Sequence, residues 1–320
     1  MSLELGFRRI SLIFAAGLFL AAPVLASAPQ LKTQAPGFYR MMLGDIEITT
    51  LSDGLFPMEV DKLLTNITPE QLKADLDRAF LKSPVDASVN GFLINTGSKL
   101  VLIDTGAGGF FGPTVGKLHA SLIAAGYQPA QVDEIYITHM HPDHVGGLSK
   151  DGKALFPNAT VRAAKQEADF WLSKEHMEAA PKEMKDGYQA AMASLDPYVT
   201  AGKFKPFDGD SQLLPGIRAV PARGHTAGHT VYVIESKGQK LLLWGDLMHC
   251  AAAQFPNPAV TIQFDTDSKQ AVASRKKIFA DAAAGGYLVG GAHLSFPGMG
   301  HLRAVGTGYA YVPINYDALH

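Results

Sequence analysis

The feature that most constrains this chain is a cluster of polar side chains between residues 138 and 147. Three histidines and one aspartate fall within six residues there: His139, His141, Asp143 and His144. Imidazole and carboxylate are the ligands that borderline divalent metals prefer, and four of them this close together must share a small volume. Pro142 and the glycines at 146 and 147 are expected to prevent a helix across the ligands. A β-branched run at 132–137 predicts a strand that ends at the cluster, so we interpret the cluster as a metal site.

Length and charge indicate an ordinary globular protein. The 320 residues include 28 basic and 30 acidic side chains, and 47% of the residues are hydrophobic. A chain of this size can bury a substantial core. The near-zero net charge gives no indication of a nucleic-acid partner or of an anionic membrane partner. The single cysteine, Cys250, excludes an intramolecular disulfide and is interpreted as a small buried side chain.

The first 28 residues are typical of an export signal. Arg8 and Arg9 precede an apolar stretch at 10–25, and small residues at 26–28 match a cleavage site. A transmembrane anchor is the alternative, which the proline at position 23 disfavours. The paired arginines leave both the general secretory and the twin-arginine routes open. We therefore expect residues 29–320 to form one mature domain in the periplasm or outside the cell.

Three further histidine or aspartate residues occur where a predicted strand gives way to a loop: His225, Asp246 and His293. Rigid strand ends that carry variable loops are common positions for open ligand sites. Asp104 also ends a predicted strand; it can orient a ligand histidine or cap a turn, and both interpretations stay open. His229 and His301 are interpreted as supports for loops near the site.

Hydrophobic periodicity predicts alternating strands and helices. We expect strands near 37–43, 46–51, 88–95, 99–104, 132–137, 159–163, 213–221, 230–235 and 239–243, and helices near 69–80, 115–125, 268–284 and, with a break at Pro181, 166–192. Three further predictions concern single positions. Asp53 and Gly54 are predicted to form a turn, Phe80 to lie on the apolar face of the helix that Thr68 caps, and Leu63 to lie in a loop.

Taken together, these motifs resemble the metallo-β-lactamase superfamily. The resemblance implies an α/β fold, a four-layer αββα sandwich, with two divalent metal ions at one edge. It implies that one ion is held by His139, His141 and His225, that the other is held by Asp143, His144 and His293, and that Asp246 bridges them. Zinc is the expected metal, with Mn, Fe or Co as alternatives. Asp143 and Asp246 are the expected catalytic residues, and hydrolysis by a hydroxide shared between the metals is the expected reaction.

Longer runs resemble the methyl parathion hydrolase group, at residues 35–41, 134–148, 203–207 and 292–298. That resemblance implies a homodimer and a small-molecule substrate: a phosphotriester, a lactone or an aryl ester. Where the group carries Arg, Leu, Thr and Leu, this chain has Leu63, His249, Ile262 and Phe264.

With Phe111 and Trp171, these four residues are expected to line the substrate pocket. The departures favour an aromatic lactone or aryl ester, such as dihydrocoumarin, over a phosphotriester. A non-catalytic, exported zinc-binding protein is the remaining alternative, although structural zinc sites are usually closed and rich in cysteine.

Overall fold

The computed structural model describes residues 28–316, so the predicted export signal lies outside the described residues except for Ala28. The chain divides into two units between Ala35 and Pro36. The described part of the first unit is exposed and irregular.

The second unit contains every strand and helix of the described residues. The strands are β1 Phe38–Leu43, β2 Ile46–Met58, β3 Leu64–Thr65, β4 Val85–Asn95, β5 Leu100–Ile103, β6 Glu134–Tyr136, β7 Ser149–Lys150, β8 Lys153–Ala154, β9 Thr160–Arg162, β10 Ser211–Leu214, β11 Ile217–Pro221, β12 Thr230–Ser236, β13 Gln239–Leu243, β14 Thr261–Ile262, β15 Leu288–Gly290, β16 Met299–Val305 and β17 Gly308–Pro313. The helices are α1 Val60–Leu63, α2 Pro69–Arg78, α3 Leu118–Ala124, α4 Pro142–Val145, α5 Lys165–Trp171, α6 Lys174–Ala179, α7 Lys182–Thr200, α8 Ala251–Gln254 and α9 Ser268–Gly285. Within residues 28–316, no helix combines the length and the apolar character needed to span a membrane.

Two large mixed sheets organise the unit. The first has the strand order β1-β2-β4-β5-β6-β9 and the second has the order β10-β11-β12-β13-β15-β16-β17. Most neighbouring strands are antiparallel, whereas β5 and β6, β6 and β9, and β13 and β15 are parallel. Parallel neighbours require a crossover connection, which α3 supplies before β6 and α9 supplies before β15.

The hydrophobic core shows how the layers stack. One cluster joins Ile94 and Val101 of the first sheet to Ile234 and Leu241 of the second, so the two sheets pack face to face. Alternating residues along a strand point to opposite faces, and the other face of each sheet therefore needs its own cover.

Helices supply that cover. Leu122 of α3 and Leu195 of α7 pack on the first sheet, and Phe279 of α9 packs with Trp244 beside the second. All four side chains are fully buried. Burying an apolar side chain of this kind contributes roughly 1.5–3 kcal/mol to the free energy of folding, relative to leaving it exposed. The predicted αββα sandwich is confirmed.

The predicted turn at Asp53 and Gly54 is wrong, because β2 continues through both residues to Met58. The pairing of β2 with β4 shifts register between Ser52 and Gly54, so the glycine marks a bulge and not a turn. The Asp53 carboxylate accepts hydrogen bonds from the backbone N–H groups of Ala107, Gly116 and Leu118. It therefore fixes the loop that follows β5.

Three other local predictions need correction. Phe80 lies beyond the end of α2 and is 97% exposed, although Thr68 does cap that helix by accepting from the Gln71 N–H. Leu63 ends the short helix α1 instead of lying in a loop. A one-turn helix, α4, also forms within the ligand cluster, because Pro142 occupies its first turn, where no backbone donor is needed.

Candidate metal centre

The ends of four strands bring the predicted ligands together. The loop after β6 carries residues 139–144, and the loop between β11 and β12 carries His225. Asp246 follows β13 and His293 follows β15. Because the loops leave the same edge of the two packed sheets, residues more than a hundred positions apart converge.

The first ligand group consists of His139, His141, His225 and Asp246. The Nε2 atom of His225 lies 3.2 Å from Nε2 of His139 and 3.1 Å from Nδ1 of His141, and the two latter atoms are 3.1 Å apart. Asp246 Oδ2 lies 3.5 Å from Nε2 of His139 and from Nε2 of His225. His141 thus presents Nδ1, whereas the other two histidines present Nε2.

The second ligand group consists of Asp143, His144, His293 and Asp246. Nε2 of His144 lies 3.1 Å from Asp246 Oδ1, and Nε2 of His293 lies 3.1 Å from Asp246 Oδ2. Asp143 Oδ2 lies 3.6 Å from the first of these nitrogens and 3.4 Å from the second. Asp246 therefore belongs to both groups.

The spacing of these atoms fits divalent metal ions. Ligands at zinc-like bond lengths in a tetrahedron are about 3.3–3.4 Å apart, close to the separations in both groups. Nε2 of His144 and Oδ1 of Asp246 are buried and have no hydrogen-bond partner in the part of the chain that the structure describes. Buried polar atoms are rarely left unpaired, so a cation on these atoms accounts for their arrangement.

The protonation states of the first group's histidines and of Asp143 also suit a metal. Burial lowers the pKa of His139 and of His225 well below the ordinary value, and it lowers the pKa of His141 to about 4. Burial alone would raise the pKa of the Asp143 carboxyl, but the neighbouring charge of His144 lowers it to about 2. At neutral pH the first group therefore offers neutral imidazoles, and Asp143 is ionised.

Hydrogen bonds at the far side of three rings fix which nitrogen faces the centre. His144 Nδ1 donates to Asp104 Oδ2 at 2.8 Å, His293 Nδ1 donates to the Ser88 carbonyl at 2.8 Å, and His225 Nδ1 donates to Asp265 Oδ1 at 3.0 Å. A proton held on Nδ1 leaves Nε2 free to bind a metal. Of the two interpretations of Asp104, the structure supports the one in which it orients a ligand histidine.

His229 lies behind Asp246 and not among the ligands. Its Nδ1 donates to the Ala222 carbonyl at 3.0 Å, and its Nε2 accepts from the Asp246 N–H at 3.1 Å. It thus supports a loop at the site, as predicted. The same prediction for His301 is wrong: this side chain is exposed on β16 and contacts the Gly286 carbonyl at the carboxyl end of α9.

Trp171 and His249 lie directly against the ligands. The Trp171 ring centroid is 5.3 Å from that of His141, and the His249 ring is 4.9 Å from His225 and 5.2 Å from His293. His249 Nε2 lies 3.2 Å from Asp246 Oδ2, and within residues 28–316 neither of its ring nitrogens has a hydrogen-bond partner.

Phe111 and Phe264 are the more exposed of the predicted pocket residues. Phe111 is 49% exposed and stacks on Phe56, whose ring is 6.1 Å from that of His293. Phe264 is 42% exposed, with its ring 6.1 Å from His249. Beside Phe111, a cavity of about 560 Å³ extends from Pro142 along α7.

Leu63 and Ile262 lie farther back. Ile262 is 1% exposed and belongs to an apolar cluster against which Leu63 packs. The Gln263 N–H donates to the Leu63 carbonyl, which ties the two segments together. Their contact with substrate stays a prediction.

Sequence reasoning missed three residues that contact the site or its ligands: Phe56, Glu167 and Asp265. Phe56 lies on the part of β2 that was predicted to follow a turn. Glu167 and Asp265 are single acidic residues outside any metal-ligand spacing, and no sequence signal distinguishes them from surface carboxylates.

Comparison with known proteins agrees with this geometry. The sequence profile of the metallo-beta-lactamase superfamily matches residues 85–281, which include six of the seven ligands. The chain belongs to that superfamily. Its seventh ligand, His293, lies just beyond the matched segment.

Two crystal structures resemble the chain over nearly its whole length. One is the hydrolase AbOPH of the beta-lactamase superfamily, with 38% identity, a TM-score of 0.85, and coverage of 89% of this chain and 100% of that one. The other is AidC, a dizinc quorum-quenching lactonase, with 32% identity, a TM-score of 0.82, and coverage of 88% and 99%.

Curated relatives match over shorter segments. The N-acyl homoserine lactonase of Bacillus sp. is 29% identical over 154 residues, which cover 48% of this chain and 52% of that protein. Matches to the other curated relatives cover 37% and 16% of those proteins. The comparisons establish the superfamily, and the nearer likeness to methyl parathion hydrolases stays a prediction.

Proposed function

We propose that this chain is a metal-dependent hydrolase of aromatic lactones or aryl esters of the dihydrocoumarin type. The observation that carries the proposal is the pair of ligand groups that share Asp246, with Trp171 against His141, Phe264 next to His249, and Phe111 stacked on Phe56 beside His293. When bound there, two divalent ions would lower the pKa of a water molecule and stabilise negative charge on the substrate oxygen. The lactonase activity named for AidC and for the Bacillus relative supports a cyclic-ester substrate.

The surrounding side chains have separate roles in this proposal. Asp246 holds the two groups together, and the ionised Asp143 would accept a hydrogen bond from the attacking water and so orient it. His249, whose ring lies 4.9 Å from that of His225 and 5.2 Å from that of His293, is expected to line the substrate pocket beside the ligands. A phenolic leaving group needs little protonation, which fits a site without an evident separate general acid.

A hydrolysis screen tests the proposal. Enzyme reconstituted with Zn²⁺ or Mn²⁺ is assayed on dihydrocoumarin, phenyl acetate, N-hexanoyl-homoserine lactone and methyl paraoxon, with chelator-treated enzyme as the control. We expect the highest kcat/KM on the first two substrates and no activity after metal removal. A preference for paraoxon would make the chain a phosphotriesterase. Metal binding without any hydrolysis would favour the non-catalytic alternative.

We further propose that the chain is exported, loses residues 1–28, and acts as a homodimer of one-domain subunits. The signal-like composition of residues 8–28 supports export, and the family resemblance supports the dimer. Mass spectrometry of the periplasmic protein should give a mature chain that begins at residue 29, and light scattering should give twice its mass.

A further inference from the structure

We propose that Glu167 is a positioning residue that sets the geometry of the first ligand group and thereby the affinity of that group for a divalent metal ion. The inference rests on the proposed two-metal centre and adds a residue that belongs to neither ligand group. Glu167 lies in the first turn of α5 and is 0% exposed. A carboxylate is buried this completely only when its oxygens are hydrogen-bonded, so its partners reveal what it holds in place.

Those partners lie on the two loops that supply all three histidines of the first group. Glu167 Oε1 accepts from the backbone N–H of Met140 at 2.9 Å, and Met140 separates His139 from His141. Oε2 accepts from Thr226 Oγ1 at 2.8 Å and from the Gly228 N–H at 2.7 Å. Thr226 directly follows His225, so one side chain ties the two loops to each other.

The packing around α5 leaves little freedom for this arrangement. A Cβ atom at Gly228 would lie 2.4 Å from the Glu167 nitrogen, so only glycine allows the loop to approach the helix this closely. Trp171 follows one helical turn after Glu167, on the same face, and its ring packs against His141. The face of α5 that carries both residues therefore packs against the first ligand group.

The chemistry of the contacts requires a carboxylate. All three partners of Glu167 are donors, and an ionised carboxylate accepts with both oxygens. A glutamine has one acceptor oxygen and one NH₂ donor, so in either orientation its NH₂ faces a donor from one of the loops. The substitution Glu167→Gln thus keeps the side-chain volume and breaks the link to one loop.

The second ligand group shares the Met140 loop through Asp143 and His144, but its histidine rings have supports of their own. Asp104 orients His144, and the Ser88 carbonyl orients His293. We therefore expect Glu167→Gln to weaken metal binding mainly at the first group, where all three histidines lie on the two loops that Glu167 joins. Losing an outer partner of a metal ligand typically costs 10–100-fold in affinity, which is the change expected here.

Chelator titration of protein loaded with two Co²⁺ ions tests the inference. Metal content is measured by elemental analysis, and visible absorption identifies which ion remains. In Glu167→Gln, one Co²⁺ equivalent should be released at a chelator concentration about 10–100-fold lower than in the wild type. The concentration that releases the other equivalent should stay close to the wild-type value. Thr226→Val removes one hydrogen-bond donor and keeps nearly the same side-chain shape. It should lower the chelator concentration that releases the same equivalent by a smaller factor. Asp104→Asn is the matched control and should release the other equivalent, leaving a different spectrum.

Wild-type affinity for both ions in Glu167→Gln would overturn the inference. So would equal weakening of both ions together with a lower Tm of the metal-free protein, since that result assigns Glu167 to folding alone. If Glu167→Gln does not fold, Thr226→Val carries the same test. No readout involves substrate, so a chain that binds two ions and hydrolyses none of the proposed esters would refute the proposed function and leave this inference standing.

Discussion

The two ligand groups share Asp246 but are held in different ways. The first contributes three histidines, and its loops are tied together through Glu167. The second contributes a carboxylate, Asp143, and its histidines are anchored singly by Asp104 and the Ser88 carbonyl. The first group is thus positioned through the backbone of its loops as well as through the His225 ring, which Asp265 holds, whereas the histidines of the second group are held through their rings.

The difference predicts unequal metal preferences. The first group presents three imidazole nitrogens, which suit Zn and Co, and the second presents two carboxylates, which better suit harder ions such as Mn. A centre built in this way can hold two ions that differ in affinity or in kind. Variants of single residues should therefore distinguish metal binding at the two groups.

Removal of the shared ligand should have the largest effect. In Asp246→Ala, both groups lose a ligand, and we expect kcat/KM for the best ester to fall by more than the roughly 10–100-fold typical of outer partners. Elemental analysis should also find fewer than two ions per chain. His301→Ala is the control, because this exposed side chain lies outside the site. Full metal content in Asp246→Ala would contradict its position in both groups.

Asp104→Asn should affect the second group most, because Asp104 contacts the His144 ring directly and is linked to His139 only through Thr138. Asp104 has a φ of 57°, a backbone conformation that asparagine also tolerates, so the fold should be retained. The asparagine cannot accept all the hydrogen bonds that His144 and Thr138 now donate to the carboxylate. We expect about 10–100-fold weaker binding of one ion, measured by chelator titration. Equal loss of both ions would show that the two groups are not separately supported.

The sequence indicated the candidate metal ligands far better than the residues that support them. The three histidines and the one aspartate at 139–144 are recognisable from their spacing, and His225, Asp246 and His293 from their positions after apolar strands. Glu167 is 27 residues from the backbone it holds at Met140, and Asp265 is 40 residues from His225. Only the tertiary fold creates those contacts, so no local pattern could predict them.

The fold shows the same limit. The buried run of β4 and the helical spacing of α9 are visible in the sequence, and both elements form where they were expected. Asp53 and Gly54 look like a turn because both residues favour turns locally. In the structure, Asp53 instead bonds to a loop more than 50 residues away, at Ala107 and beyond, and that tertiary contact overrides the local preference.

The metal-free protein should respond to pH in opposite ways at the two groups. The lowered pKa values of His139, His141 and His225 mean that the unfolded chain binds more protons below pH 6.5, so stability falls as the pH drops towards 4. The pKa values of His144 and His293 are raised, so their contribution is present below pH 6.5 and is lost as the pH rises through the raised values.

We therefore expect the Tm of chelator-treated protein to be highest near pH 6.5, as measured by thermal unfolding between pH 4 and 9. His225→Gln should flatten the acidic side of this profile, and His144→Gln should flatten the alkaline side. A Tm that rises steadily with pH would contradict the separation of the two groups.

Truncation of an aromatic side chain near the metal centre should have the smallest effect on activity. Trp171 lies beside the first group and is 3% exposed, so its truncation would cost about 3–5 kcal/mol of folding free energy and would not report on substrate alone. Phe111 stacks on Phe56, whose ring lies beside His293 of the second group. Because Phe111 is 49% exposed, it can be truncated with little loss of folding stability. An aromatic contact contributes about 0.5–1.5 kcal/mol, so Phe111→Ala should raise KM for aryl esters roughly 2–10-fold at constant kcat. Phe80→Ala, at a fully solvated ring, is the control. An equal rise in KM for aliphatic lactones would show that Phe111 shapes the pocket without recognising an aromatic ring.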